Sequence, residues 1–533
     1  VKSETNLVDV VVVGSGAGGG VIAKELGESG VSVVVLEAGR RFEASVDYPT
    51  DRHDFEATAT DVFAAVDPLR DRYTTAGSSF SYSRVKGVGG STLQYAAVSP
   101  RLHESDFLVR SRDGVASDWP IRYGDLEPYY AFVERELGVS GPDGEASNPF
   151  DSSRSSRFPT PPHPFNLAGL VVKQGAEKLG LHFVREPVAI PTLDWNGRKA
   201  CIGAGTCMIG CQIRAKSSID VTYVSKAEAT GRVEMRPNSM AREVTVGTDG
   251  KARSVIYIDA GGVEHEIRAR AIVVAGNAVE TPRLLLLSKS PAFPDGLANS
   301  SGLVGKYFME HLAVFTQGLF SERLDPWRGI PTGGMIQDFY ETNSSNDFAR
   351  GFTILSSSGR QWPFSLAQRV GGWGAEHKRR MKESFGHVTA LASVGEQLPD
   401  VRNEVRLDSF AKDSYGLPVP LIDSRLCEND RAMIRKITSS QREILKTAGA
   451  REVWEQPYQP GSSSHFLGTC RMGADSRTSV VDPWCRAHDV PNLFIGDGSV
   501  LPTGGAVNPA LTISALATRT AEGIVRAFER RDL

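Results

Sequence analysis

Residues 9–39, DVVVVGSGAGGGVIAKELGESGVSVVVLEAG, constrain the fold more than any other stretch of the chain. Val10–Val13 is an unbroken β-branched run, the pattern of a strand buried on both faces of a parallel sheet. Gly14, Gly16 and Gly19 follow in G-x-G-x-x-G spacing. The first glycine permits a tight turn, the second lets backbone approach a pyrophosphate, and the third lets a helix over 20–28 pack on the strand with its N-terminus toward the phosphates. Gly30 closes that helix, and Val31–Leu36 forms a second strand ending at Glu37. A carboxylate there binds ribose hydroxyls and disfavours a 2′-phosphate. Glycine-rich turns are common, but here strand, turn, helix, strand and acid arrive in register and predict a dinucleotide site. This stretch alone fits FAD and NAD equally.

A chain of 533 residues exceeds a single hydrophobic core and predicts several domains. Its net charge of -3 argues against nucleic acid or an anionic membrane as the main partner. No apolar run has the length of a membrane span. The nucleotide-binding strand begins too early to leave room for a signal peptide, which predicts a cytoplasmic protein, with export as cargo of a partner subunit the alternative. Six cysteines in this length do not form a disulfide framework.

Further along, VKGVGGSTLQY (Val85–Tyr95) places Gly89 and Gly90 before Ser91 and Thr92, a backbone that can press on a flat or anionic ligand while hydroxyls and amides donate to it. Residues 124–137 read as helix and 141–164 as a surface connection. Short alternating runs at 233–236, 243–246, 254–260 and 264–269 predict a meander. Ala271–Ala275 is a buried strand ending in Gly276, and the helix from Thr281-Pro282 returns the chain to the edge of the first sheet. Residues 313–459 predict a mainly antiparallel sheet with a helix over Glu428–Thr447, and Gln361–Lys382 is the candidate lid. The final stretch carries GSSSHFLGTCRMG, then NLFIGDGSVLPT with Asp497-Gly498 at a strand end, then a helix from Pro509 onward.

On these motifs the chain resembles the glucose-methanol-choline (GMC) oxidoreductase family, flavoproteins that oxidise alcohols, over nearly its whole length. The resemblance rests on Gly14, Gly16, Gly19 and Glu37 for the adenosine half of FAD, on Gly89, Gly90, Ser91 and Thr92 beside the flavin, on Ala275-Gly276 with Thr281-Pro282, on Asp497-Gly498, and on His465 with Asn508-Pro509. It implies an α/β fold in which a discontinuous Rossmann-like FAD-binding domain (1–115, 200–312 and 460–533) carries a substrate domain with a mainly antiparallel sheet (116–199 and 313–459). DWPIRYGDLEPYY, GKYFMEH and SVVDPWCRAHDVPNLF are similar to the bacterial glucose, gluconate and sorbitol dehydrogenases of the family, and its sugar and glycoside oxidases are nearly as similar. In some sugar oxidases a histidine four residues after the double glycine carries the flavin covalently. Here that residue is Gln94, which implies dissociable FAD. The family's second signature ends in Ser-Gly, where this chain has Ser288-Lys289.

Alcohol oxidation needs a base for the hydroxyl proton and an acceptor for the hydride, which the flavin supplies. His465 is the expected base, since imidazole titrates near neutrality, with His311 the alternative. Asn508 is expected to donate its amide to the developing alkoxide. Cys201, Cys207 and Cys211 form C-x5-C-x3-C with no fourth ligand near, which disfavours zinc. Three thiolates suit the [3Fe-4S] cluster that the similar dehydrogenases ligate, but Ile202 and Gln212 depart from their pattern and the segment is also similar to cluster-free alcohol oxidases. Both readings stay open on the sequence. The expected substrate is a sugar, glycoside, aminosugar or polyol, and the electron acceptor oxygen, quinone or a redox partner protein. A flavin-binding electron-transfer subunit and an oxidase of non-sugar alcohols are the alternatives. A nicotinamide enzyme is the poorest fit, because the contacts at Gly89, Asp497 and Asn508 exceed what NAD needs.

Overall fold

A computed structural model describes residues 2–48, 71–77, 80–144, 147–357, 366–367 and 370–533. Its first sheet runs in the order Val233–Arg236, Val33–Leu36, Lys2–Val13, Glu264–Val274, Ala252–Ile258 and Met240–Val246, with Leu493–Ile495 also paired to Glu264–Val274. Val10, Val11 and Val12 are fully buried, as a strand with parallel neighbours on both sides must be, and Val13 at the strand end is half-buried. Register sets the site: Val13 lies beside Leu36 and Val274, and Ile495 lies beside Val274. Four strands therefore end together, and their following residues Gly14, Glu37, Ala275 and Gly496 leave from one edge, the usual ligand side of a parallel sheet.

Three expectations about this sheet are corrected. Residues 264–274 are one strand, not a meander strand followed by a separate buried one. The alternating half pairs with Ala252–Ile258, and the uniformly buried half begins where Leu493–Ile495 takes over as neighbour. This strand lies against Lys2–Val13 in the sheet interior instead of at its edge. Val233–Arg236 leaves the meander altogether and pairs parallel with Val33–Leu36 on the far side.

Helix Gly19–Glu28 packs against the C-terminal helix Ala510–Glu529, whose buried face is rich in alanine, and that helix also packs on Tyr123–Leu137. The approach is close. A Cβ on Gly19 would stand 2.0 Å from the Gly14 carbonyl oxygen, so the third glycine of the motif serves helix–strand packing.

The second sheet is antiparallel throughout, in the order Glu452–Glu455, Phe315–Leu319, Val388–Glu396, Phe352–Ser357, Thr332–Ile336 and Phe183–Val184, with His311–Leu312 beside the end of Val388–Glu396. Helices Leu167–Lys178 and Glu428–Thr447 cover one face with a core of their own. The other face looks toward the first sheet. Of the candidate lid, residues 361–365 and 368–369 lie outside the described residues, and Gly374–Ser384 is a helix with no buried residue. Among the described residues no helix is long and apolar enough to cross a membrane.

Candidate active site

A cavity of about 790 Å³ runs from the shared strand ends of the first sheet to the open face of the second. At the strand ends it is lined by Gly14, Gly16, Glu37, Ala275, Gly276 and Asp497. Gly90, Ser91 and Thr92 line its middle, as do Gly498, His465, Asn508 and Pro509. Gly19 and Gly89 stand back from it. Gly89 takes a left-handed φ of 103° to begin the turn Gly90–Leu93, and its N–H donates to Ser15 Oγ at 3.1 Å.

Gly14 is required by its neighbours, with φ 98° and a hypothetical Cβ only 2.4 Å from the Ala275 carbonyl oxygen. Gly16 differs. Its Cβ would meet only Gly90 Cα, at 3.8 Å, and otherwise point into space belonging to the cavity. Protein packing does not demand glycine there, whereas a ligand pressed on the backbone does. The helix Gly19–Glu28 begins without a side-chain cap, and Ala17 and Gly18 just before it line the cavity. Uncapped helical amides suit a pyrophosphate. These residues fit FAD.

Glu37 is buried, and burial raises its pKa while hydrogen bonds from Ser15 and Gly39 oppose the rise. Its Oε2 accepts from Ser15 N at 3.1 Å and Ser15 Oγ at 2.7 Å, and Oε1 accepts from Gly39 N at 2.9 Å. The carboxylate therefore also locks Ser15 in the glycine turn, which the ribose role did not anticipate. Glu37→Ala is expected to yield protein depleted in flavin after dialysis, read as absorbance near about 450 nm relative to protein. Full occupancy would show the acid to be dispensable. Asp497 cross-links two strand ends: Oδ2 accepts from Asn277 N at 2.9 Å and Thr281 Oγ1 at 2.5 Å, and Oδ1 from Ser499 N at 2.8 Å.

His465 is half-buried and follows Ser464, which holds a left-handed φ of 56°. Its Nε2 stands 3.4 Å from Asn508 Nδ2, and its Nδ1 stands 2.9 Å from Nδ1 of the buried His311. His311 Nε2 lies 2.8 Å from the Gly505 carbonyl oxygen and 3.3 Å from that of Gly504. A carbonyl only accepts, so His311 carries its proton on Nε2 and, when neutral, presents a bare Nδ1. His465 must then donate from Nδ1, which leaves its Nε2 lone pair on the Asn508 side. Burial, and next His311, hold the His465 pKa well below the ordinary histidine value of 6.5. Burial lowers that of His311 too, with Glu396 opposing. The site thus holds a neutral imidazole with a fixed tautomer.

Glu310 fastens the loop that leads to His465, accepting from Gly461 N at 2.6 Å and from Tyr458 OH at 3.0 Å. Burial pushes its carboxyl up to about 8. The opposite loop hangs from a buried cation. Arg350 donates from Nε to Glu396 at 2.7 Å, from Nη1 to Asp113 at 2.8 Å and from Nη2 to Asp106. Asp106 in turn accepts from Tyr340 OH at 2.7 Å, and that hydroxyl accepts from Ala506 N at 3.3 Å. Residues 503–506, which supply the carbonyls for His311 and lead into Asn508, are thereby fixed.

The iron–sulfur reading finds no support. Among the described residues no three histidine, cysteine or acidic side chains converge to hold a metal ion, and all six cysteines are free. Cys201 Sγ accepts from Gly203 N and Cys211 Sγ from Lys216 N, and burial pushes the Cys207 thiol up to about 12. Another residue organises this loop. The buried Lys216 donates to the carbonyls of Cys207, Leu93 and Tyr95 at 2.6, 2.8 and 3.3 Å, tying the cysteine loop to the segment that follows Gly89-Gly90. Met208, between the cysteines, lines the cavity.

Two family models described as GMC oxidoreductase match residues 8–313 and 399–517. The chain is 36% identical to 2-methyl-1,2-propanediol dehydrogenase of Mycolicibacterium austroafricanum, over 98% of this chain and 95% of that one. It is 30% identical to the fructose dehydrogenase large subunit of Gluconobacter japonicus, over 99% of this chain and 100% of that one. Formate oxidase of Aspergillus oryzae RIB40, at 16% identity and a TM-score of 0.71 over 99% of both chains, shares the fold. The chain belongs to the GMC oxidoreductase family of FAD-dependent enzymes that oxidise alcohols and sugars.

Proposed function

We propose that the protein oxidises a CH–OH group of a sugar, glycoside, aminosugar or polyol to a carbonyl, with His465 as the base. The observation that carries this reading is the fixed tautomer of His465, whose Nε2 lone pair shares a cavity wall with the Asn508 amide. Nε2 takes the hydroxyl proton of the substrate, and Asn508 donates to the same oxygen as negative charge grows there. His311 keeps the proton of His465 on Nδ1, so that the basic nitrogen faces the reaction. Bound FAD supplies the hydride acceptor. The substrates named for the two relatives, a branched diol and a ketose, both offer a CH–OH group.

The flavin-holding part is drawn from residues 1–115, 200–312 and 460–533, and the substrate part from 116–199 and 313–459. Gln94, which lines the cavity, has no ring nitrogen for a covalent link, so FAD is held without one. Acid precipitation is expected to release all yellow colour into the supernatant, and colour kept in the pellet would refute the non-covalent assignment. The oxidation itself is tested by anaerobic flavin bleaching with a panel of hexoses, glycosides, aminosugars and polyols. If none of them bleaches a fully loaded protein, the reading fails.

The positioning role of His311 has its own test. His311→Leu removes the acceptor for His465 Nδ1 and is expected to lower the rate of flavin reduction by about 10- to 100-fold. His311→Gln can offer a carbonyl oxygen in its place and is expected to recover part of the loss. Equal rates for the two variants would assign His311 a packing role only.

A further inference from the structure

The open face of the second sheet has a pattern that the proposed oxidation does not use. Strands Phe315–Leu319, Val388–Glu396 and Phe352–Ser357 lie side by side with Val388–Glu396 central. Their cavity-lining residues include two successive rungs. Ala392 pairs with Phe315 on one side and Leu355 on the other, and Ala390 pairs with Gln317 and Ser357. Successive rungs on one face of a strand are about 7 Å apart. The central alanines leave a trough between larger neighbours. Glu396 pairs with His311, so the apolar rung is the nearer to His311 and His465 and the Gln317 rung the farther.

Gln317 is buried, and its orientation is decided by Trp454. The indole N–H can only donate, and it donates to Gln317 Oε1 at 3.0 Å. The carboxamide nitrogen is therefore the end left to serve the cavity as a donor. Charge is distributed just as unevenly. The wall made by residues 313–317, 355–357, 390–394 and 456 lines the cavity without one ionisable side chain among the described residues. The charged groups of the lining sit at the first-sheet end, where Arg84 and Arg283 both pair with Glu280, at 2.9 and 3.2 Å. An ionic substrate group placed against the second sheet would lose its hydration and find no partner.

We infer that this face is a substrate subsite in which Gln317 donates its amide to a second oxygen of an uncharged polyol or glycoside, across an apolar stretch from the reacting carbon. This rests on the proposed alcohol oxidation and narrows its substrate class, excluding sugar acids and aminosugars in their charged forms. Gln317 is a specificity residue that touches substrate away from the reacting atoms.

The test is the kcat/KM of the FAD-loaded protein for neutral polyols and for monohydric alcohols that lack the second oxygen. Gln317→Glu keeps the size of the side chain and an acceptor for Trp454 but replaces the donor with oxygen. Gln317→Met removes the donor without adding charge, and circular dichroism with flavin content verifies that both variants fold. Each is expected to lose about 10- to 100-fold on polyols and less than about twofold on monohydric alcohols, because only the former use the donor. An equal loss on both classes, or no loss on either, overturns the subsite and leaves the oxidation standing. So does a parent enzyme that turns over sugar acids or protonated aminosugars as well as their neutral counterparts. Failure of the parent to be reduced by any alcohol instead removes the oxidation, and the subsite with it.

Discussion

His465→Ala is expected to slow anaerobic flavin reduction by about 10² to 10⁴, the range for loss of a positioned general base, when followed by stopped-flow bleaching on the best substrate of the panel. Flavin content should be unchanged. The proposed cradle is built from Gly14, Gly16, Glu37 and Asp497, and none of these is bonded to His465. Asn508→Ala removes one donor to the developing alkoxide and is expected to cost about 10² to 10³. The double variant should fall short of the product of the two losses, since both groups act on one oxygen. The pH profile supplies an independent check. A base works only when neutral, and burial has moved His465 well below 6.5, so the rate should stay on its plateau as pH falls through 6.5 and decline only at lower pH. A variant that reduces as fast as the parent would reassign the base, with His311 the next candidate.

Arg350→Met should produce the largest loss of stability. Arg350 is fully buried, and its guanidinium faces the three carboxylates of Asp106, Asp113 and Glu396. Removing the cation leaves buried negative charge without a partner, and breaking even one buried ion pair in this way costs about 3 to 5 kcal/mol. The damage should reach the active site, because Asp106 holds Tyr340, and Tyr340 holds Ala506 beside the carbonyl that orients His311. The expected result is an earlier denaturation midpoint together with a shifted pH profile in whatever folded protein remains. Adding Glu396→Gln, which removes one of the stranded charges, should restore part of the midpoint. An Arg350→Met protein as stable as the parent would mean that the carboxylates protonate or rearrange at little cost.

The fold class was legible because the first strand, turn and helix follow local rules: a valine run, three spaced glycines and a closing acid leave little freedom. The C-terminal motifs were equally local, so His465, Asn508 and Asp497 could be named before their positions were known. What the sequence hid was pairing between distant segments. Glu264–Val274 shows two periodicities because it changes neighbours along its length, and one window cannot reveal that a strand more than two hundred residues later is one of them. His311 could be named only as a fallback base, since its role comes from the Gly505 carbonyl and the His465 ring. Arg350, Asp106 and Glu396 belong to no motif, and their significance lies wholly in meeting one another. Gln317 was equally silent, a glutamine in an ordinary strand until Trp454 fixes which end faces the cavity. The cysteine spacing left the cluster open, because spacing describes a loop's sequence and not where its sulfurs point.

The register that sets Ile495 beside Val274 also bears on when the protein can acquire its cofactor. The glycine turn emerges from the ribosome early, but Asp497, which bonds Asn277 and Thr281 across the same edge, is made nearly the whole chain later. At about 5 to 20 residues per second, the nascent protein spends roughly half a minute to a minute and a half with one wall of its cofactor cradle missing. Through that interval the exposed parallel strands must stay soluble without a ligand to hold them. FAD loading should therefore be a post-translational event, and expression limited by flavin supply should accumulate full-length apoprotein rather than stalled, flavin-bearing fragments.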